Sequence, residues 1–231
     1  MFEEYKYKIG MHTHSFPVSP CSTLTPAELV QLYASAGVDA MVLTNHLHPY
    51  FMDTKSVDQV VREYMEAYHT AKRIGEWFGI GVLLGIEPDF SNTPDTLIYG
   101  ADEEVVRAAA TYVTRTIEEF RSEYKRDRMF FAQAHPFRSG HKLINPDLLD
   151  GVEVFNMNPG HYGKSAIAAR YAAKHNLIPT CGDDCHSVGE QCMAILRTKT
   201  LPKDSFELAD ILFSKDFIFD MGGFKVTPFY M

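Results

Sequence analysis

The stretch Tyr7-Lys8-Ile9-Gly10-Met11-His12-Thr13-His14 joins a short apolar run to a pair of histidines. A second apolar run, residues 40–44, is followed in the same way by Asn45-His46-Leu47-His48. In an α/β barrel the carboxyl ends of the strands converge on one mouth, so side chains that follow different strands can share a pocket. The residues that follow the apolar runs therefore bear on both the fold and the site.

Apolar runs alternate with helical patterns from one end of the chain to the other. Strands are predicted over residues 7–11, 40–44, 82–86, 97–99, 129–134, 151–155, 178–181 and 194–197, and helices over 25–36, 56–77, 103–124, 164–175 and 205–214. This rhythm is typical of βα units around a parallel sheet. We predict a single α/β domain over residues 1–231 with a TIM-like barrel; a doubly wound open sheet is the alternative, disfavoured because no Gly-rich loop follows the first strand.

Composition excludes several classes of protein. The chain has 231 residues with 22 Lys and Arg against 30 Asp and Glu, a net charge of −8. Its bases form no block of the kind that nucleic acid attracts. The longest apolar stretch, residues 77–86, is far shorter than the ~20 residues that span a bilayer. We therefore expect no binding to nucleic acid and no membrane insertion.

The first residues, Met1-Phe2-Glu3-Glu4-Tyr5, lack the basic and apolar regions of a secretory signal. A cytoplasmic location is the expectation that follows. The chain has four cysteines and no Cys-x-x-Cys pair, so we expect reduced thiols and no zinc ribbon.

Metal-ligand types follow the later strands as well. Residues 82–86 precede Glu87, residues 129–134 precede His135, residues 151–155 precede Asn156, and residues 178–181 precede Gly182-Asp183-Asp184-Cys185-His186. His12 and His14 are two positions apart, so an extended chain presents both on one side. By the same alternation Asp183 and Asp184 point in opposite directions, and only one of them is expected to be a ligand. Imidazole with carboxylate suits Zn²⁺, Mn²⁺ or Fe²⁺.

These motifs, taken in order, resemble those of the PHP family, the polymerase and histidinol phosphatase domain. The order is His-x-His at 12–14, Thr-Asn-His at 44–46, Gly-x-Glu at 85–87, Ala-His-Pro at 134–136, Val-Glu-Val-x-Asn at 152–156 and Gly-x-Asp-x-His at 182–186. The resemblance covers nearly the whole chain. It implies a distorted (β/α)7 barrel with a metal site at the carboxyl ends of its strands, up to three divalent ions and the hydrolysis of phosphoesters.

The resemblance also implies a ligand set. His12, His14, Glu87 and Asp184 would hold the first ion, Glu87 would bridge to a second ion bound by His135, and His46 and His186 would serve a third position. Three departures from the family pattern concern the later positions: Ser19-Pro20-Cys21 stands where the third position has a ligand, Asn45 replaces an acid, and only Asp95 or Thr96 is available where many members have a histidine. We expect one to three ions, most simply two, with a weak third position unless Asp183 or a substrate phosphate supplies charge.

The leading hypothesis is a metal-dependent phosphoesterase that uses a metal-activated water on a small phosphorylated substrate. Glu87 and Asp184 would serve the ions, and Arg138, three residues after His135, would grip the phosphate. The candidates for protonating the leaving group are His48, His141 and His161, whereas His69 and His175 are predicted on solvent-exposed faces. The alternatives are an amidohydrolase-type metal hydrolase and a degenerate, non-catalytic metal-binding domain; the sequence leaves the oligomeric state open.

Overall fold

A computed structural model of the chain describes residues 2–91, 93–124 and 126–228. Its strands are β1 (Tyr7–Thr13), β2 (Ala40–Leu43), β3 (His46–Leu47), β4 (Gly81–Leu84), β5 (Glu87–Pro88), β6 (Thr96–Tyr99), β7 (Phe130–Gln133), β8 (Gly151–Asn156), β9 (Ile178–Gly182), β10 (Ala194–Thr198), β11 (Phe217–Met221) and β12 (Phe224–Val226). Its α-helices are α1 (Pro26–Ser35), α2 (Val57–Phe78), α3 (Glu103–Tyr112), α4 (Ile117–Glu123), α5 (Ser165–His175) and α6 (Ser205–Ser214). All the predicted strands are present; the short β3 and β5 and the late β11 and β12 were not predicted.

Local chemistry sets the helix ends. The Thr25 hydroxyl accepts a hydrogen bond from the backbone of Glu28 at the start of α1, and the Glu28 side chain bonds back to Thr25. The same reciprocal capping box, formed by Thr116 and Glu119, begins α4. Because this second cap restarts the helix, the prediction of one helix over residues 103–124 is wrong: α3 ends at Tyr112 and α4 begins at Ile117.

The strands form three sheets, in the orders β12-β11-β10-β1-β2-β4, β3-β5 and β6-β7-β8-β9. Single bridges connect them, from Thr13 to Cys185 and from Ile86 to Ile98. No continuous ladder closes a barrel within the described part of the chain. The fold prediction is therefore confirmed as mixed α/β but not as a closed (β/α)7 barrel. The predicted domain also includes positions 1, 92, 125 and 229–231, which lie outside the described residues.

Two strands run against the direction that the sequence predicts. β6 pairs antiparallel with β7, and β10 pairs antiparallel with β1. The connections from β5 to β6 and from β9 to β10, residues 89–95 and 183–193, are shorter than the crossover of about a dozen or more residues that would let β6 and β10 run parallel to those preceding strands. The amino ends of β6 and β10 therefore lie at the edge where β1, β2, β4, β7, β8 and β9 have their carboxyl ends.

The core lies on both faces of the sheets. Inside, large side chains such as Met11, Tyr99 and Phe130 pack against one another, and outside, α2 and α3 cover the sheets with another apolar cluster. No helix among the described residues combines the length and apolar character that crossing a membrane demands.

Candidate metal centre

The carboxyl ends of five strands bring the predicted ligands together. His12 and His14 lie at the end of β1, His46 opens β3 after β2, Glu87 opens β5 after β4, His135 follows β7, and Asp184 and His186 follow β9. The side chains of His12, His14 and Glu87 are completely buried, and Asp184 is 2% exposed. The folding of the strands thus places charged and polar groups in the interior.

Glu87 stands at the centre of this group. Its Oε1 lies 3.0 Å from Nε2 of His12 and 3.5 Å from Nε2 of His135. Its Oε2 lies 3.3 Å from Nε2 of His14 and 2.8 Å from Nδ1 of His46. Each carboxylate oxygen therefore faces two imidazoles, which is the arrangement that a carboxylate bridging two ions requires.

The facing atoms are not hydrogen-bonded to one another. Within the described residues, Nε2 of His12, Nε2 of His14, Nδ1 of His46 and both oxygens of Glu87 are buried without a hydrogen bond of acceptable geometry. A buried polar group without a partner costs about 1–3 kcal/mol, so a cluster of them calls for another partner. Imidazole nitrogens and carboxylate oxygens are ligands of Zn²⁺, Mn²⁺ and Fe²⁺. The residues present therefore fit divalent metal ions.

Asp184, and not Asp183, faces the centre. Oδ1 of Asp184 is 3.3 Å from Nε2 of His14 and 3.5 Å from Nε2 of His12, and its backbone adopts the left-handed region with φ of 51°. Asp183 points the other way and accepts hydrogen bonds from the Tyr33 hydroxyl and from the backbone of β10. The two carboxylates point in opposite directions as predicted, but through the left-handed turn at Asp184 after β9 rather than through extended-strand alternation. Asp183 anchors β10 and does not face the cluster.

Glu153 belongs to the site although the sequence analysis did not select it. Its Oε1 lies 2.9 Å from Nδ1 of His12, and its Oε2 accepts the backbone N–H of His135 and an amide N–H of Asn156, both at 2.9 Å. A carboxylate on Nδ1 leaves Nε2 of His12 to bind a metal. The sequence does contain a signal for this role of Glu153, because a buried strand rarely carries an unpaired Glu between two valines.

Gly182 makes room for this pair. A Cβ at Gly182 would lie 2.4 Å from Cβ of His12 and 2.5 Å from Oε1 of Glu153. Such distances are well inside van der Waals contact, so only glycine allows His12 and Glu153 to approach each other here.

The charges of the cluster are strongly coupled. Burial raises the pKa of Glu87, but the imidazoles of His12 and His46 outweigh it and hold this pKa well below its ordinary value. Burial lowers the pKa of His12, but Glu87 and Glu153 outweigh it and hold this pKa well above its ordinary value. Burial and the neighbouring His46 lower the pKa of His14. Glu87 is therefore ionised near neutral pH, and an ion that binds Nε2 of His12 would displace a proton from that imidazole.

We expect metal affinity to rise with pH for this reason. Each proton displaced by an ion changes its apparent affinity by about tenfold per pH unit below the pKa of the displaced group. Calorimetric titration with Mn²⁺ or Zn²⁺ in buffers of different ionisation enthalpy measures the protons released. Binding that is independent of pH and releases no proton would contradict this picture of His12.

The histidines predicted for a third ion, together with His14, form a stack of imidazoles. Ligand atoms of His14, His46 and His186 lie within 4.8 Å of one another, and the ring of His14 stacks on the other two with centroids 4.2 and 4.3 Å apart. The Cys21 thiol interacts with His186 and His46; burial raises the pKa of this thiol, but the two imidazoles lower it to about 6. A group able to carry negative charge thus lies beside this position, which the sequence analysis credited only with Pro20 and two imidazoles.

Asn45 stands where the family motif has an acid, but its side chain has a structural role. Its Oδ1 accepts the backbone N–H of Ser15 at 2.6 Å and the hydroxyl of Ser19 at 3.0 Å. Ser19 in turn accepts the backbone N–H of His46 at 2.9 Å. Asn45 therefore holds the loop after β1 in place, and its hydrogen bonds do not face the ligand cluster.

The other predicted residues lie around the mouth of the centre. Nε2 of His161 is 3.8 Å from Oδ2 of Asp184, and Nδ1 of His48 is 3.4 Å from Oδ2 of Asp89. Arg138 is half-buried and forms no ion pair with any described residue. Its charge adds to burial in lowering the pKa of His161. The guanidinium is therefore free to bind an anion.

The two histidines predicted to face solvent differ. His69 on α2 is exposed, as predicted. His175 is half-buried because its ring packs 4.5 Å from that of Tyr171 on α5. Neither takes part in the metal centre.

Asp95 joins the centre because β6 is reversed. The residue precedes β6, whose amino end faces the site, and its Oδ2 lies 3.7 Å from Nε2 of His135. Of the two candidates that the sequence left for the missing histidine, Asp95 carries the carboxylate that faces a predicted ligand.

Comparison with known proteins places the fold. The sequence matches no family model and no curated protein. The structure is similar to a two-domain protein from Bacteroides vulgatus ATCC 8482 that contains a predicted PHP-like metal-dependent phosphoesterase, with 16% identity, a TM-score of 0.61 and coverage of 93% of this chain and 64% of that one. The chain thus spans less than two thirds of that protein.

Two further structures are similar. PsfC from Pseudomonas syringae PB-5123 has 15% identity and a TM-score of 0.63, with 87% of this chain and 86% of that one covered. An amidohydrolase from Chromobacterium violaceum, solved with bound sulfate and no metal, has 15% identity and a TM-score of 0.56, with 88% of this chain and 96% of that one covered. The resemblance to PHP proteins predicted from the sequence is confirmed at the level of the fold, to which that of this amidohydrolase is also similar.

Proposed function

We propose that the protein is a metal-dependent hydrolase of phosphoester bonds. The observation that carries the proposal is the Glu87 carboxylate, whose two oxygens are buried without hydrogen bonds between four imidazoles. The similarity in fold to a protein with a predicted PHP-like phosphoesterase supports it. In this proposal His12, His14, Glu87 and Asp184 hold the first ion, and Glu87, His135 and Asp95 hold the second.

In the proposed hydrolysis, the carboxylates, Arg138 and His161 have separate roles. When bound, divalent ions stabilise charge on phosphoryl oxygens and lower the pKa of water toward ~7. Glu87 and Asp184 neutralise those ions, and Glu153 orients His12 toward them. Arg138 binds the phosphoryl group in a forked, charge-assisted contact. His161 lies 3.8 Å from Asp184, and the charge of Arg138 acts on its imidazole, so we assign to it the exchange of a proton with the leaving group.

A third ion would use the imidazoles of His46 and His186 together with Cys21. The sequence analysis expects this position to be weak because two imidazoles bring no negative charge. Asp183 cannot supply it, since its carboxylate is engaged with Tyr33 and β10. The Cys21 thiol, beside both imidazoles, supplies charge once deprotonated, and thiolate favours Zn²⁺ over Mn²⁺.

The substrate is proposed to be small. A cavity of about 380 Å³ opens beside the centre, lined in part by Asp89, Asp95, His141 and Lys142. This volume falls in the ordinary range of small-molecule pockets, about 300–1,000 Å³. The net charge of −8 disfavours nucleic acid as the substrate.

An amidohydrolase-type activity is the second candidate, because the fold is also similar to that of an amidohydrolase with bound sulfate. Such enzymes often use a lysine at a strand end. None of the described strands β1, β2, β4, β7, β8 and β9 ends in lysine, and His186 follows Asp184, which favours the phosphoesterase. A non-catalytic metal-binding domain is the third outcome.

A paired substrate panel tests the proposal. The protein, loaded with Mn²⁺ or Zn²⁺, is assayed against phosphate mono- and diesters and against amides and lactams. We expect hydrolysis of at least one phosphate ester that a chelator abolishes and that Arg138→Lys weakens through KM, because Lys cannot make the forked contact. Hydrolysis confined to amides would establish the amidohydrolase, and stoichiometric metal without any hydrolysis would favour the non-catalytic domain.

A further inference from the structure

The loop after His135 turns back on itself through hydrogen bonds. The backbone N–H of Arg138 donates to the carbonyl of His135 at 3.0 Å, and that of His141 donates to the carbonyl of Arg138 at 3.1 Å. The side chain of Gln133 closes the loop from β7: it donates to the carbonyl of Lys142 at 2.7 Å and accepts the N–H of Ile144 at 3.0 Å. These bonds hold His141 above His135.

His141 faces two groups of the second ion's ligand set. Ligand atoms of Asp95, His135 and His141 all lie within 4.8 Å of one another. The rings of His135 and His141 are 5.0 Å apart and nearly perpendicular, at 72°. Nδ1 of His141 is buried and has no hydrogen-bond partner among the described residues. This imidazole nitrogen therefore lacks a partner in the described part of the chain, as do the buried imidazole nitrogens that face Glu87.

We propose that His141 is a ligand of the second ion, beside Glu87, His135 and Asp95, and that the ion thereby fixes the loop that carries Arg138. The inference rests on the proposed metal centre and goes beyond it in two respects. It gives His141 a role other than proton donor, and it couples occupancy of the second position to the placement of the guanidinium that binds phosphate.

The loop needs such an anchor. Between Arg138 and Ile144 its side chains are largely exposed, and Gly140 adopts a left-handed φ of 88°. Apart from the Gln133 clamp and the ring of His141, its described contacts lie at its end, where the carbonyl of Ile144 accepts a hydrogen bond from the Tyr171 hydroxyl at 3.4 Å and the Ile144 side chain is buried. A bond from His141 to an ion would fix the loop at its middle, three residues after Arg138.

His161 provides a matched control. It is also a partly exposed histidine on a loop at the mouth, and it also interacts with Asp184, at 3.8 Å. It belongs to none of the clusters of ligand atoms found among the described residues. Loss of its imidazole is therefore expected to leave the ions in place.

The test combines metal titration with hydrogen exchange on the full chain. Mn²⁺ or Zn²⁺ is titrated into the chelator-treated protein, and amide exchange of residues 136–144 is followed with and without metal. We expect metal to slow exchange in this loop. His141→Asn is expected to weaken the second ion by at least about 10- to 100-fold, the range for losing support at a metal site, and to remove the protection. His161→Asn is expected to keep both ions and the protection.

A rescue variant separates ligation from packing. His141→Asp offers a carboxylate oxygen in place of the imidazole and is expected to recover much of the second ion and of the loop protection, which a role in packing or in proton transfer would not predict. Two bound ions and full protection in His141→Asn would overturn the proposal, as would wild-type exchange that metal does not change. Neither readout uses hydrolysis, so metal-dependent protection without any phosphatase activity would contradict only the proposed reaction.

Discussion

Replacing Glu87 with glutamine is expected to lower kcat/KM about 1000-fold for a phosphate ester that the wild type hydrolyses. It is also expected to weaken the binding of both proposed ions. Each oxygen of Glu87 faces two imidazoles, so in the proposed centre the carboxylate would neutralise two cations at once. At ~4 Å and an effective dielectric constant of ~20, a unit charge interacts with about 4 kcal/mol, and each ~1.4 kcal/mol is a factor of ten in rate. Glutamine keeps the shape and removes that charge.

His48→Ala is the comparison for Glu87→Gln. Nδ1 of His48 faces Asp89 at 3.4 Å, and the residue makes no approach to Glu87 among the ion pairs of the described residues. We expect a clearly smaller loss than for Glu87→Gln when both rates are measured at saturating metal. Equal losses of hydrolysis rate, or a larger loss in His48→Ala, would show that Glu87 does not have the central role proposed for it.

Replacing Glu153 with glutamine is expected to weaken metal binding by about 10- to 100-fold, as for other groups that orient a ligand. One carboxylate oxygen faces Nδ1 of His12, while the other accepts N–H groups from His135 and Asn156. An amide has only one accepting atom, so glutamine must place N–H₂ against a donor on one side. The hydrogen bond that orients His12 is therefore lost in Glu153→Gln.

Calorimetric titration with Zn²⁺ measures this effect directly. Glu66→Gln, an exposed Glu-to-Gln change on α2, serves as the matched control and is expected to bind metal as the wild type does. If Glu153→Gln binds both ions with wild-type affinity while folding normally, Glu153 is not the residue that orients His12.

The convergence of the proposed metal ligands is the part of the site that the sequence predicts best. His12, His14, Glu87 and His135 follow apolar runs directly, and the carboxyl ends of parallel strands meet. Alternation predicts only that Asp183 and Asp184 face opposite ways. The choice of Asp184 comes from the resemblance to the PHP family, and its carboxylate faces the cluster through a left-handed backbone beyond β9. The apolar runs that predict these strands are local features of the sequence, so the fold retains them.

The remaining features depend on chain direction and long-range packing. Asp95 reaches the centre only because β6 is reversed, and the sequence analysis did not take the short connection of residues 89–95 into account. Cys21 reaches His46 and His186 through a loop whose path is set by Asn45 and Ser19. The Thr116–Glu119 capping box, by contrast, is visible in the sequence and would have divided the long predicted helix correctly.

Elemental analysis of the folded protein, purified without chelators, tests the central claim most directly. We predict two divalent ions per chain, held by His12, His14, Glu87, His135 and Asp184, and a loss of one or both in Glu87→Gln. The account would be contradicted by a folded wild-type protein that contains no stoichiometric metal and takes up neither Mn²⁺ nor Zn²⁺ when they are supplied.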